Sequence, residues 1–201
     1  LGRHAGGEAW AASGDQERRR ATARHHSATH LLHKALRTVL GENAVQRGSY
    51  VGPDHTTFDF SFRRALAPDE LKRVSRLINQ EVRAGLPLHV SHRPLAEARE
   101  AGAMALFGEK YGDVVRVVCF GDWTCELCGG THVDSSADVG FVLIRSERSV
   151  GAGLRRIDLV AGVAAEDELE RREAVGADGH RGAPERLQWA VKRMLTMEGE
   201  L

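Results

Sequence analysis

The chain has 201 residues, with 28 Lys and Arg balanced by 28 Asp and Glu and 42% hydrophobic residues. That is enough for one sizeable domain burying roughly 70% of its unfolded surface. A formal net charge of zero provides no global field for holding a polyanion, so any nucleic-acid contact must come from a local basic patch. The longest apolar runs, such as Phe141 to Ile144, fall far short of the roughly 20 residues that a membrane span requires. Three cysteines do not make a disulfide framework, which favours a reducing, cytoplasmic setting. The unusual number is ten histidines. Leu1 is no initiator residue, and the chain is expected to be a piece of something longer.

Residues 1 to 17 are rich in Gly, Ala and Ser without periodicity, and read as an edge or the remnant of a preceding element. From Glu17 to Leu40, apolar residues at steps of three and four (Ala28, Leu31, Leu32, Ala35, Leu36, Val39) predict a long amphipathic helix closed by Gly41. Strands are expected over Ala44 to Val51 and Thr56 to Phe62, joined as a hairpin through Gly52-Pro53-Asp54. Pro68-Asp69-Glu70 opens a second helix with Leu71, Val74, Leu77, Ile78 and Val82 on one face, ended by Gly85-Leu86-Pro87. Leu88 to His92 reads as a short strand and Leu95 to Ala101 as a short helix. Val114 to Phe120, Val139 to Arg145 and Leu154 to Val160 complete the strands. After Gly162 the composition turns to Glu, Arg and Ala, with another helix expected over Glu185 to Glu198. Mixed helices and strands with an antiparallel hairpin define an α+β class.

Two clusters carry chemistry. His26 and His30 are four residues apart inside the first helix, so both imidazoles share one face about a turn apart and can reach one metal. No Glu follows His26, so the general base of a helical zinc protease is missing. The second cluster is Cys125-Glu126-Leu127-Cys128-Gly129-Gly130-Thr131-His132. There a thiolate and an imidazole flank two glycines that permit a sharp bend toward one ion. Joined, the two clusters form a Cys/His set of tetrahedral zinc type. Spacing does not decide which cysteine ligates, because Cys125 and Cys128 also form a C-x-x-C pair. Cys119, within an apolar run, reads as a buried small hydrophobe.

Of the other histidines, His25 points about 100° away from the His26 face, while His33 lies one turn beyond His30 and leans toward the site. His55, His89 and His92 read as surface or supporting residues. Basic residues cluster at several places. The group around Gly151-Ala152-Gly153, with Arg155 and Arg156, is the best candidate for phosphate contact, since a flexible glycine turn presents backbone N–H groups.

His26-Ser-Ala-Thr-His30-Leu-Leu, Gln46-Arg-Gly-Ser49, Phe58-Asp-Phe60, the run from Ala103 to Tyr111, Cys128-Gly-Gly-Thr-His132 and Gly153-Leu-Arg-Arg-Ile157 occur in this order. Together they resemble the editing domain of alanyl-tRNA synthetase and its free-standing AlaX relatives, over Arg18 to Gly162. The resemblance implies a two-layer domain with an antiparallel sheet against a long helix, residues 163–201 forming a helical extension and residues 1–17 a remnant of the β-barrel that precedes it. It also implies Zn2+ held by His26, His30, Cys128 and His132, and hydrolysis of serine or glycine from alanine tRNA. Gln46 matches a family position on the amino-acid side of the pocket, and Thr29 is a candidate to reward the serine hydroxyl. His25 stands where the family more often has Asn. No aminoacylation domain is represented, so ATP-dependent ligation is not expected, and neither is the oligomerisation domain, so a monomer is.

Overall fold

The structure is a computed structural model describing residues 2–3, 9–10, 15–105 and 111–179. It divides into two units, Leu1–Ala165 and Glu166–Leu201. In the first unit β1 (Gly2–Arg3) and β2 (Ala9–Trp10) make a small antiparallel pair. Helix α1 (Gln16–Leu40) follows, started by the Asp15 side chain, which accepts a hydrogen bond from Arg18 N at 3.0 Å. It stops at Gly41, whose φ of 96° is a conformation that side-chain-bearing residues resist.

Two antiparallel sheets are built around this helix. The first has the order β3 (Gln46–Val51), β4 (Thr56–Ser61), β9 (Leu154–Ala161), β8 (Val142–Gly151). Alternation along β4 and β9 turns Phe58, Phe60, Ile157 and Leu159 inward, where they join Ala28, Leu31, Leu32 and Leu36 of α1 in the main core. The second sheet runs β5 (Leu88–Pro94), β6 (Val114–Phe120), β7 (Thr124–Leu127). Helix α2 (Pro68–Ala84) adds Val74, Ile78 and Val82 to the main core. Its buried Asn79 clips the first residue of β8, donating to Val142 O and accepting from Val142 N, both at 2.9 Å. Burying that amide is tolerated because both of its ends are satisfied. The short helix α3 (Leu95–Glu100) places Ala98 in a smaller cluster with Val115, Val117 and Leu127. Helix α4 (Val163–Gly179) leads into the second unit, where Glu168 accepts from Arg171 and Arg172 on the next turn. No helix among the described residues is long and apolar enough to cross a membrane.

The α+β class is as read from sequence, with three differences in detail. Strand β7 was not foreseen, because four residues interrupted by the charged Glu126 give no hydrophobic alternation to detect. The strand expected from Val139 begins three residues later, since Ser136–Val139 form a 3-10 turn and Gly140 takes φ 70°. Cys119 is not a lone buried thiol: it is bonded to Cys125, its direct partner on the β6–β7 ladder, with Cα atoms 4.1 Å apart. The helix expected over Glu185 to Glu198 and the middle of the Ala103 to Tyr111 motif lie outside the described residues.

Candidate metal centre

Helix α1 presents His26 and His30 on one face, their ring centroids 5.2 Å apart. The opposing ligands arrive from the end of β7. Cys128 follows that strand directly, and its N–H donates to Arg116 O of β6 at 3.0 Å. The Arg116 guanidinium donates through Nη1 to the carbonyls of Cys128 (2.7 Å) and Gly130 (2.9 Å). One arginine on a strand thus fixes both sides of the loop that carries the thiol.

Cys128 Sγ lies 3.4 Å from His26 Nε2 and 3.3 Å from His132 Nε2. The ligand atoms of His26, His30, Cys128 and His132 all fall within 4.8 Å of one another. Bond lengths of about 2.0–2.1 Å to nitrogen and 2.3 Å to sulfur put neighbouring ligand atoms of a tetrahedral zinc roughly 3.3–3.6 Å apart. The two Cys128 pairs already have that spacing, and the widest pair of the group, within 4.8 Å, would have to close by about 1 Å. Cys128 lies with the histidines in the group that could hold an ion, while Cys125 is turned away into its bond with Cys119.

The glycines have a different role from the bend that spacing suggested. Neither Gly129 nor Gly130 has a positive φ. A Cβ on Gly130 would stand 1.9 Å from Cε1 and 2.3 Å from Nδ1 of His26, whereas one on Gly129 meets nothing within 4 Å. Gly130 is thus the bare surface on which the His26 ring rests.

Partial burial alone would push the Cys128 thiol up. Hydrogen bonds from His132, His26 and His30 outweigh it and bring it down to about 3, so the sulfur is held as a thiolate, the form that ligates metal. Burial, aided by repulsion from the neighbouring histidines, lowers His132 to about 4 and keeps it neutral. Behind the ligands stands Glu126, 2% exposed, which accepts from His30 Nδ1 at 2.7 Å and His33 Nδ1 at 3.0 Å. Burial opposes the charge of both His30 and Glu126. Their mutual attraction prevails, raising His30 and depressing Glu126, so that the two stand as an ion pair. A carboxylate behind a ligating imidazole sets the tautomer that points Nε2 forward. Neither Glu126 nor Arg116 was singled out from sequence.

The other expected site residues are placed as follows. Gln46 lies on β3 beside a register shift and donates to Ser49 Oγ at 3.1 Å. Thr29 is buried, its hydroxyl donating to His25 O at 2.8 Å and lying 3.2 Å from Thr56 Oγ1. His25 is a core residue, its Nε2 accepting from Ala161 N. His33 supports the site through Glu126, while His89 and His92 lie on the exposed strand β5. Gly151 and Gly153 flank the β8–β9 turn. Arg155 is held by Glu147 and Arg156 by Asp59, each through two hydrogen bonds.

Residues 115–158, spanning β6, the thiol-bearing loop and most of the β8–β9 hairpin, match the model of the threonyl and alanyl tRNA synthetase second additional domain. This match, with the relatives below, places the chain among the synthetase domains of editing type. Its similarity is to the alanine branch. It is 46% identical over 194 residues to the alanine–tRNA ligase of Desulforamulus reducens, covering 93% of the chain and 22% of that relative. It is 45% identical over 202 residues to that of Acidithiobacillus ferridurans, covering 97% and 23%. Against the Desulfitobacterium hafniense enzyme, identity is 56% over 151 residues, covering 75% and 17%. The chain thus belongs with the alanyl-tRNA synthetase editing-type domains, and it spans only about a fifth of the length of these relatives.

Proposed function

We propose that this chain is a zinc-dependent deacylase that hydrolyses the ester joining serine or glycine to alanine tRNA. The observation that carries the reading is the convergence of His26, His30, Cys128 and His132, from two elements about a hundred residues apart, within 4.8 Å. The need for such a step is physical. A pocket made for alanine rejects glycine poorly by sterics and an added hydroxyl only modestly, so a second site that removes errors is the remedy.

The four residues would hold the ion: two imidazoles on α1, a thiolate and an imidazole on the loop. When bound, zinc supplies a Lewis acid for the ester carbonyl or an acidified water. The chain's own groups do the positioning. Arg116 fixes the loop, Gly130 seats the His26 ring, and Glu126 turns His30 so that its Nε2 faces the thiolate. Thr29 and Gln46 are proposed readers of the serine hydroxyl, for which each must exchange its present partner, Thr56 or Ser49. The β8–β9 turn is proposed to meet tRNA phosphates, with Arg155 and Arg156 exchanging their carboxylates.

The test is release of serine or glycine from mischarged alanine tRNA by the purified chain. Turnover that is lost on Cys128→Ala and on chelation supports the proposal. Tight tRNA binding without turnover by the zinc-loaded wild type refutes it in favour of a binding module.

A further inference from the structure

Ser27 is fully buried on α1, between the two helical histidines in sequence but turned to a different neighbour. Its Oγ lies 3.2 Å from His132 Nδ1 and accepts from Val133 N, also at 3.2 Å. His132 Nε2 meanwhile lies 3.3 Å from Cys128 Sγ, on the side of the ring that faces the other ligand atoms. An imidazole that ligates through Nε2 has its remaining proton on Nδ1, and that proton needs an acceptor. A hydroxyl oxygen can accept from two donors, here the His132 ring and the Val133 backbone.

We infer that Ser27 is a positioning residue of the metal centre. Its hydroxyl accepts a hydrogen bond from the Nδ1–H of His132, fixes that ring in the tautomer whose Nε2 faces the ion, and holds the residue after the ligand at the same depth. This rests on the metal reading of the four-residue cluster. Two of the three rings thus have their own rear support, the hydroxyl of Ser27 for His132 and the carboxylate of Glu126 for His30, and one helix contributes two ligands together with the orientation of a third. Neutral and carboxylate supports differ in effect. Glu126 adds negative charge beside the centre, whereas Ser27 sets direction without adding any.

The test uses the whole chain, with zinc affinity measured against a chromophoric chelator and the absorption bands of the Co2+-loaded protein as a readout of ligand geometry. Ser27→Ala is expected to weaken zinc about 10- to 100-fold and to shift the cobalt bands, as loss of an outer-shell partner does, while metal-free thermal unfolding stays cooperative. Ser27→Thr, which keeps the oxygen, is expected to recover affinity. Wild-type affinity and an unshifted cobalt spectrum in Ser27→Ala overturn the inference. In the zinc-loaded wild type, ring-nitrogen chemical shifts are expected to show His132 protonated at Nδ1 and ligated at Nε2, and ligation through Nδ1 overturns it without recourse to any variant. A wild-type chain that binds neither metal overturns instead the metal reading on which it rests.

Discussion

Replacing Gly130 with alanine isolates the geometry of the site from its chemistry, because no ligand is changed. The new methyl carbon would sit 1.9 Å from His26 Cε1 and 2.3 Å from Nδ1. An ordinary carbon–carbon contact is about 3.5–4.0 Å, so the ring must retreat by about 1.5 Å or more, while metal–ligand distances tolerate only about 0.2 Å. His26 is then lost as a ligand. Structural zinc sites bind with about 10–16 kcal/mol, or roughly 3 kcal/mol for each of four ligands, which corresponds to about two orders of magnitude in affinity. The control is Gly129→Ala, where the added carbon meets nothing within 4 Å and affinity is expected to stay within about twofold of wild type. Titrating both variants with zinc against a chelating dye separates them. Equal weakening in the two, or a Gly130→Ala chain that binds like wild type, would refute the reasoning that Gly130 serves as the seat of an imidazole.

Other consequences can be checked independently. Glu126→Gln leaves an amide that cannot accept from both His30 and His33, and is expected to lower stability by about 1–3 kcal/mol in urea unfolding of the metal-free chain; an unchanged midpoint contradicts the bridging role. Leu32→Ala, at a fully buried position of the main core, is expected to cost about 2–5 kcal/mol. Thiol titration of the unfolded chain should find one reactive sulfhydryl before reduction, that of Cys128, and three after it; three from the start would refute the Cys119–Cys125 bond. Thr29→Val removes a buried hydroxyl bonded to its own helix and lying against Thr56. It should slow serine release more than glycine release, and equal slowing argues against Thr29 as a reader of the substrate.

Much of this was legible in the residues because it depends on periodicity. Helix α1 was expected from Glu17 to Leu40 and runs over Gln16–Leu40, and the strand Val114–Phe120 has the bounds its β-branched run predicted. A four-residue helical step is a strong geometric statement, and for that reason His26 and His30 could be paired before any coordinates. What was hidden was contact between distant segments. That Cys125 faces Cys119, that Glu126 faces two histidines and that Gly130 lies under His26 are properties of the β6–β7 register and its docking on α1, and they leave no local trace in sequence. Ser27 looked like one more small residue in a helix for the same reason.

That register has a further consequence. Along β7, Cys125 and Glu126 point to opposite faces, one tied to Cys119 and the other to His30 and His33. Sliding the strand by a single residue would interchange those faces, leaving a carboxylate among Val115, Val117 and Ala98 and a thiol before the imidazoles. The covalent tie between β6 and β7 therefore does more than join neighbours. It forbids the one misalignment that would disassemble the ion-holding corner while leaving the strand's backbone pairing intact.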